Sequence, residues 1–344
     1  MNREPFVTVI IPCRNEEQYI RKVLDNMLYQ DYPDNQYEVL VLDGMSDDRT
    51  PEIVKEYAAQ YPIIKYLENP ERVVPFALNK GIRESSGEVV VRVDAHSDYP
   101  KDYLSQLVFY LYKLNADNVG GSWNTLPADS RLQSGLIAAA TSNSFGIGDA
   151  QYRLANKEIK EVDTVPYGCY KREVFDKIGL FDEELVRNQD DELNARLKEH
   201  GGKIYLIPFV KINYYARDRL NKMMKMFYQY GYFKPLVNRK IKKPATIRQF
   251  VPLFFVIYLV FLIFLLAIDL SLVKYYLIPL GLYLLLSFSI SFSLFLKKKK
   301  LEFFFLMPLV FFMIHISYGW GYLSGIFQFV LLRQKKIKTF NINR

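Results

Sequence analysis

The stretch VVVRVDAHSDYP (Val89–Pro100) changes character halfway along its length. Its first residues are mostly β-branched and apolar, which is typical of a buried strand. Asp94, His96 and Asp98 follow at the point where that strand is predicted to end. Because residues i and i+2 of a strand point the same way, we expect Asp94 and His96 to face one cleft. The stretch therefore predicts a buried strand that ends in a polar binding site.

The residues before this stretch alternate between strand and helix patterns. Three more strands are predicted, with the sequences FVTVIIP, YEVLVLD and IIKYLE, at Phe6–Pro12, Tyr37–Asp43 and Ile63–Glu68. Helices are predicted between them, as over Asn15–Gln30, where apolar residues recur on one helical face. Continuous apolar strands joined by helices are typical of a parallel sheet that is covered on both faces. The sequence thus predicts an α/β, Rossmann-like fold with a mostly parallel sheet.

Three of the predicted strands end in polar or acidic residues. The first ends in PCRNE (Pro12–Glu16), the second in DGMSDD (Asp43–Asp48) and the fourth in DAHSD (Asp94–Asp98). Because the carboxyl ends of parallel strands share one edge of a sheet, we expect these residues to form one ligand site. PCRNE contains no glycine, so it does not match a dinucleotide-type turn. Clustered acids accept an anion only with a cation between them, which indicates a divalent metal that holds a diphosphate.

Asp94 and His96 are the candidate metal ligands, since a carboxylate with an imidazole suits Mn²⁺ better than Ca²⁺. The alternative is structural, with His96 closing a turn and Asp98 capping the helix predicted over Tyr99–Leu114. Two other acidic strand ends are expected at the same edge of the sheet, and this convergence favours the ligand site.

Several motifs in the chain resemble those of the family-2 inverting glycosyltransferases. They are VTVIIPCRNE, DGMSDDRT, NKGIRESSG, and DAH in place of the usual DxD. The resemblance covers about Val7–Gly231 and implies a GT-A fold, with Val162–Pro208 similar to its acceptor half. Among subgroups the chain looks most like the ExoA-type exopolysaccharide enzymes, through RVDAH, VGGSWNTLP, SFGIGDAQYR and RNQDDELNARL.

The resemblance implies that a hexose passes from a nucleotide sugar, expected to be UDP-linked, to an acceptor hydroxyl with inversion at the anomeric carbon. It assigns the nucleotide to Pro12, Arg14, Asn15, Glu16, Asp43 and Asp94. By similarity, Asp43 contacts the uracil or ribose, whereas Asp94 and His96 lie against the ribose and a metal-bridged diphosphate. The implied cofactor is a divalent metal, Mn²⁺ or Mg²⁺.

An inverting transfer needs a base beside the acceptor, and NQDDELNARL (Asn188–Leu197) supplies the candidates. The resemblance assigns Asp190 as the base and leaves Asp191 as its rival, although the family usually has Glu-Asp where this chain has Gln189–Asp190. The alternative is an ordinary acidic helix start that the helix dipole stabilises. Gln189 and Trp123 are further acceptor-side candidates, and Trp123 either stacks on a sugar ring or fills the core.

From Phe250 onward the chain is dominated by large apolar residues, and about 20 of these in a row suffice to cross a bilayer as a helix. The predicted membrane spans are Phe250–Asp269, Tyr275–Leu296 and Phe303–Leu332. The third segment is too long for one upright span, and Gly319, Gly321 and Gly325 interrupt it. It is predicted to form either one tilted span with an interfacial extension or two short re-entrant pieces.

Basic clusters flank the first two predicted spans, at Arg239–Lys243 and Lys297–Lys300. Positive loops stay in the cytoplasm, so these spans are expected to form a hairpin with the preceding domain on the cytoplasmic side. The basic tail RQKKIK (Arg333–Lys338) is expected on that side too, which favours the re-entrant alternative for the third segment. We therefore expect a multi-pass protein of the cell membrane.

The sequence divides into four predicted regions. They are a cytoplasmic catalytic domain (1–215), an interfacial amphipathic linker (216–248), a transmembrane region (249–333) and a basic tail (334–344). The net charge of +8 comes mostly from the membrane-flanking clusters, which indicates contact with anionic lipid and not with nucleic acid. Cys13 and Cys169 are the only cysteines, and they fit a reducing compartment.

The expected partners are a nucleotide sugar, a lipid-linked saccharide acceptor and the membrane. Two rival functions remain open on the sequence alone. One is a polyprenyl-phosphate glycosyl synthase, in which the lipid phosphate itself attacks the sugar. The other is a non-catalytic membrane scaffold that only binds a nucleotide, an alternative that the departures at His96 and Gln189 keep open.

Overall fold

The computed structural model describes residues 4–154, 157–244, 246–268 and 270–333. The strands are β1 (Val7–Cys13), β2 (Tyr37–Asp43), β3 (Ile64–Glu68), β4 (Val89–Arg92), β5 (Ser97–Asp98), β6 (Asn118–Leu126), β7 (Lys160–Glu161), β8 (Cys169–Lys171) and β9 (Ile204–Tyr215). The helices are α1 (Ile20–Leu28), α2 (Thr50–Gln60), α3 (Val74–Glu84), α4 (Tyr103–Lys113), α5 (Leu132–Ala140), α6 (Ser144–Ile147), α7 (Glu173–Ile178), α8 (Gln189–Glu199), α9 (Leu220–Lys240), α10 (Phe250–Ile268), α11 (Leu270–Lys298) and α12 (Leu301–Gly325). The predicted basic tail (334–344) lies outside the described residues, as does Asp269 at the end of the first predicted span.

The strands form a mixed sheet with the order β3-β2-β1-β4-β8-β6-β9-β5, and β7 pairs with β9. β1 is parallel to β2 and β4, and β2 is parallel to β3. β8 is antiparallel to β4 and β6, and β9 is antiparallel to β5 and β7. The predicted α/β fold is confirmed, and the four predicted strands are the parallel ones. Antiparallel strands complete the sheet beyond β4, so it is less parallel as a whole than predicted.

Strand β1 shows how helices cover the sheet on both faces. Val7, Val9 and Ile11 pack into one apolar cluster with side chains of α1, α2 and α4. Ile10 points the other way and packs into a second cluster with side chains of α3, α7 and α8. Burying each such side chain contributes about 1.5–3 kcal/mol. The alternation fixes the register of β1, because a slip of one residue would exchange the two faces.

The described chain forms two compact units. The first comprises the residues up to Asn124 together with Gln151–Tyr214, and it holds most of the sheet. The second comprises Thr125–Ala150 and the residues from Tyr215 onward. Its α5, α9 and α12 share an apolar cluster that includes Leu136, Ile137, Met223, Phe227, Met307 and Phe311. Residues 125–150 therefore pack with the C-terminal helices, although they lie in the middle of the predicted catalytic domain.

Among the described residues of the second unit, three helical segments are long and apolar enough to cross a membrane. They are Ile247–Leu265, Val273–Lys298 and Leu301–Leu331. The first two coincide with predicted spans to within a few residues. The third continues through its glycines and ends in a π-helical turn, Ile326–Leu331. The prediction of two short re-entrant pieces for this segment is therefore wrong, since the segment is one unbroken helical run.

The glycines of α12 allow close helix packing and do not interrupt the helix. A Cβ atom on Gly321 would clash with the carbonyl oxygen of Tyr228 on α9, and one on Gly319 would clash with that of Pro252 on α10. Small residues permit such close backbone approach between packed helices. As a result α9, which was predicted to belong to an interfacial linker, packs directly along α12.

Candidate active site

The ends of β1, β2 and β4 meet at one edge of the sheet, as predicted. Cys13 at the end of β1 is in register with Asp43 at the end of β2. Arg92, the last residue of β4, is in register with Ile10 of β1. Asp94 follows Arg92 by two residues and therefore lies at the same edge. We call this group of strand ends and loops the nucleotide edge.

Hydrogen bonds join the loop after β1 to the turn after β2. Asn15 has a left-handed backbone (φ 55°), donates its N–H to Ser46 Oγ (2.8 Å) and accepts from the N–H of Asp47 (2.9 Å). The N–H of Glu16 donates to Thr50 Oγ1 (2.9 Å). Asparagine adopts the left-handed conformation more readily than most residues. PCRNE thus forms a tight turn without a glycine.

Asp43 is buried within the nucleotide edge. Its carboxylate accepts from the Ser46 hydroxyl (2.5 Å) and the Ser46 N–H (3.1 Å). Arg14 lies beside the same turn, with Nη2 3.8 Å from Asp47, and its buried Nε has no hydrogen-bond partner within the described part of the chain. Pro12 is the last residue but one of β1. The predicted nucleotide residues thus lie around one turn, and their contact with a nucleotide stays a prediction.

Arg92 joins the nucleotide edge to helix α8. Its Nε and Nη2 donate to the two oxygens of Asp94 (2.8 and 3.1 Å), and its Nη1 donates to both oxygens of Asp190 (2.8 Å each). Arg92 belongs to the motif RVDAH, but no role was predicted for it. One signal for such a role was available in the sequence, namely a single arginine within a predicted buried strand of valines. A buried arginine needs anionic partners, so its position pointed to carboxylates nearby.

Asp190 lies in the first turn of α8, after Asn188, whose backbone is left-handed (φ 62°). Burial raises the pKa of Asp190 above its ordinary value, and the nearby carboxylates of Asp94 and Asp191 add to this rise. The Arg92 guanidinium opposes the rise but does not cancel it. A carboxylate with a raised pKa is a stronger proton acceptor, which fits the predicted base.

His96 lies beyond β4, and its Nδ1 is 3.4 Å from Glu16 Oε1. Histidines that bind metals commonly have the second ring nitrogen held by a carboxylate in this way. Both oxygens of Asp94 are already hydrogen-bonded to Arg92. Across residues 4–154, 157–244, 246–268 and 270–333, no three His, Cys, Asp or Glu side chains converge as a metal site. His96 and Asp94 would each supply a ligand to a divalent ion, a diphosphate would have to supply further ligands, and metal binding at this pair stays a prediction.

Trp123 lies in a cluster of aromatic and cationic side chains. Its ring stacks on Tyr214 with centroids 4.0 Å apart, and the guanidinium carbon of Arg153 lies 4.3 Å from its centroid. Tyr214 thus covers one face of the indole, as expected of a ring that fills the core. The buried indole Nε1 has no hydrogen-bond partner among the described residues. Of the other acceptor-side candidates, Gln189 is buried and Asp191 is partly exposed at the start of α8.

The mixed sheet and its acidic strand ends define a GT-A glycosyltransferase fold. The mannosyltransferase PcManGT from Pyrobaculum calidifontis, solved in complex with GDP-Man and Mn²⁺, superposes with a TM-score of 0.60 at 21% sequence identity. The superposition covers 93% of this chain and 88% of that one. Residues 8–179 match the family described as Glycosyl transferase family 2. The chain belongs to glycosyltransferase family 2, as the motifs predicted.

Two relatives match much of the chain. Dolichyl N-acetyl-alpha-D-glucosaminyl phosphate 3-beta-D-2,3-diacetamido-2,3-dideoxy-beta-D-glucuronosyltransferase of Methanococcus voltae is 32% identical over 243 residues, which are 68% of this chain and 74% of that protein. Succinoglycan biosynthesis protein ExoA of Rhizobium meliloti (strain 1021) is 29% identical over 250 residues, 71% of this chain and 74% of that protein. The predicted similarity to ExoA is confirmed, and the protein is a glycosyltransferase.

Proposed function

We propose that this glycosyltransferase moves a hexose from a nucleotide sugar, with UDP-sugars as the first candidates, to a lipid-linked saccharide with inversion. The observation that carries the proposal is the position of Asp190. One guanidinium, that of Arg92, is paired both with Asp190 and with Asp94 at the nucleotide edge. The proposed base is thereby held beside the edge at which the activated sugar is expected to bind.

The proposed reaction is a single displacement. Asp190 takes the proton of the acceptor hydroxyl while the hydroxyl oxygen bonds to the anomeric carbon. The bond between that carbon and the diphosphate oxygen breaks, and the nucleoside diphosphate leaves. The loop at Asn15–Glu16 and the turn at Asp43 hold the nucleoside. A divalent ion bound by His96 and Asp94 would neutralise the charge of the diphosphate.

Two features support a lipid-linked acceptor and a place in polysaccharide synthesis. Three helical segments within the described part of the chain are long and apolar enough to cross a membrane. One relative is named for a dolichyl phosphate-linked sugar and the other for succinoglycan biosynthesis. We place the protein in the cell membrane as a multi-pass enzyme. Because Arg239–Lys243 and Lys297–Lys300 flank the first two apolar helices, we place the catalytic unit in the cytoplasm.

The test is release of UDP from a panel of UDP-sugars by the detergent-purified full chain. Each donor is assayed with and without Mn²⁺, and with and without acceptor lipids extracted from membranes. We expect Asp190→Asn to lower kcat by about 10²–10⁴-fold, because the hydroxyl then has no proton acceptor. Asp176, an exposed aspartate in the first turn of α7, provides a matched control, and Asp176→Asn should keep full turnover.

The outcomes separate the proposal from its rivals. The proposal is supported if one donor is turned over, if this turnover requires both Mn²⁺ and the extracted acceptor, and if Asp190→Asn abolishes it. Transfer to polyprenyl phosphate that survives Asp190→Asn would indicate a polyprenyl-phosphate glycosyl synthase, because a phosphate nucleophile is already ionised. Donor binding without turnover for any donor would indicate the non-catalytic scaffold.

A further inference from the structure

Arg92 is an unusual residue for the end of a central strand. The other residues of β4 are valines, and Arg92 is 8% exposed. Removing a guanidinium from water is costly unless anionic partners surround it. Arg92 meets this condition with two carboxylates, Asp94 and Asp190, at hydrogen-bond distances of 2.8 to 3.1 Å.

The geometry of the pairing requires an arginine. The guanidinium is a planar fork, so one side of it binds Asp94 through Nε and Nη2 while Nη1 reaches Asp190. A lysine carries a single ammonium group and cannot reproduce two such contacts with fixed directions. Without a cation between them, the two carboxylates would repel each other and move apart.

The backbone beside Arg92 supports the same arrangement. Tyr167 has a left-handed backbone (φ 48°), a strained conformation that is rare for an aromatic residue. Its buried ring lies 5.9 Å from the guanidinium carbon of Arg92, and its hydroxyl is 3.1 Å from Ser97 Oγ. The carbonyl of the next residue, Gly168, accepts from the N–H of Arg92 (3.0 Å). The strained segment thus holds Arg92 through both its ring and its backbone.

We propose that Arg92 is a positioning residue for sugar transfer, which fixes the carboxylate of Asp190 relative to the nucleotide edge by binding it and Asp94 at the same time. The inference rests on the proposed function, with Asp190 as the base. Arg92 acts through Asp190, and the direct contacts to donor and acceptor belong to other residues. Misplacing a catalytic group by about 1 Å costs on the order of 100-fold in rate.

The test compares Arg92→Lys, Asp190→Asn and the double variant Arg92→Lys/Asp190→Asn as full-length chains in detergent. We expect Arg92→Lys to lower kcat by about 100-fold with little change in the donor KM. In the Asp190→Asn background the same substitution should cause no further loss, because the group that it positions is gone. A merely structural role would lower kcat by the same factor in both backgrounds. Arg83 of α3 is exposed, so Arg83→Lys is the matched control and should keep the wild-type kcat.

A second pair of variants decides the matter if Arg92→Lys does not fold. Tyr167→Phe keeps the ring against Arg92 and should retain most of the wild-type kcat. Tyr167→Leu removes the ring and should lower kcat several-fold more than Tyr167→Phe does.

Failure of the inference is distinguishable from failure of the proposed function. The inference would be overturned if Arg92→Lys kept the wild-type kcat, or if Tyr167→Phe and Tyr167→Leu had equal kcat. In either case an inactive Asp190→Asn would still support Asp190 as the base. Full turnover in Asp190→Asn would instead overturn the proposed base, and the positioning role of Arg92 with it.

Discussion

At the scale of single residues, the pKa of Asp190 connects its surroundings to the pH dependence of activity. The base must be ionised to accept a proton, so activity falls as the pH drops through its pKa. Because burial and the neighbouring carboxylates raise that pKa, we expect the acid limb of the kcat profile at a higher pH than an ordinary aspartate would give. Replacing Asp191 by Asn removes one of the raising charges and should move the limb to lower pH.

The Asp191→Asn profile also discriminates between the two candidate bases. If Asp190 is the base, Asp191→Asn keeps its turnover at neutral pH and shows only the displaced acid limb. Loss of turnover at every pH in Asp191→Asn, with activity retained in Asp190→Asn, would assign the base to Asp191 instead. Measuring kcat from pH 4 to pH 8 at saturating donor and acceptor is sufficient.

Glu38 is a buried carboxylate at the opposite end of β2 from Asp43. Burial alone would raise the pKa of Glu38, but hydrogen bonds from Lys65, Ser86 and Thr8 lower it to about 2. A lowered native pKa means that the charged form stabilises the fold above the unfolded-state pKa, and that this stabilisation is lost as the pH falls toward 2. The contribution at neutral pH is on the order of 3 kcal/mol.

We therefore expect Glu38→Gln to lower the thermal unfolding midpoint at pH 7. The difference from wild type should shrink between pH 5 and pH 3, because the wild type loses the same stabilisation there. Glu56 pairs with Arg21 on the surface, where ion pairs contribute about 0–1 kcal/mol, so Glu56→Gln is a control of the same chemistry. A midpoint difference for Glu38→Gln that grows as the pH falls would contradict this account.

Local pattern predicted the acids at the strand ends but not their partners. Asp43 and Asp94 could be chosen because each stands at the end of a recognisable strand pattern, whereas Asp190 was chosen through the resemblance to the family. The pairing of Arg92 with Asp190 joins residues 98 positions apart in the sequence, and no periodicity encodes such a contact. The pairing of Glu16 with His96 escaped prediction for the same reason.

At the scale of elements, the packing of α9 on α12 depends on glycine. We expect Gly321→Val to disrupt this packing, because its Cβ would meet the carbonyl oxygen of Tyr228 and neither backbone can yield easily. Overpacking of this kind costs about 1–3 kcal/mol. A Cβ atom on Gly281 of α11 would meet no heavy atom of the described residues within 4 Å, so Gly281→Val is the matched control. Thermal unfolding in detergent should show a lower midpoint for Gly321→Val alone, and equal midpoints would refute the packing role.

The elements themselves followed closely from the sequence wherever one periodicity dominated. The parallel strands are continuous apolar runs, and their observed bounds differ from the predicted ones by no more than a few residues. The third apolar segment was misjudged because its glycines were interpreted as helix breaks. A glycine can break a helix, or it can admit the backbone of a second helix that packs closely against it. Which of the two happens depends on whether that second helix is present. For Gly321 the second helix is α9, whose Tyr228 lies more than 80 positions earlier in the chain.

At the scale of the whole molecule, the position of α12 decides on which side of the membrane the chain ends. A 31-residue helical segment would be about 46 Å long, against a hydrocarbon core of about 30 Å. Its partner α9 carries charged residues along its length, namely Lys222, Lys225, Lys234, Arg239 and Lys240. Because such charges are costly at the centre of a bilayer, a helix that packs along α9 is expected to lie near the membrane surface.

We therefore predict that α10 and α11 cross the membrane as a hairpin and that α12 does not cross it. Single cysteines at Lys300, before α12, and at Arg333, after it, should react with an impermeant maleimide from the same side of sealed vesicles. A cysteine at Lys274, near the start of α11, should react only from the other side. The native Cys13 and Cys169 are buried and provide a low background. Labelling of Lys300→Cys and Arg333→Cys from opposite sides would show instead that α12 spans the bilayer, and the basic residues after Arg333 would then lie outside the cytoplasm.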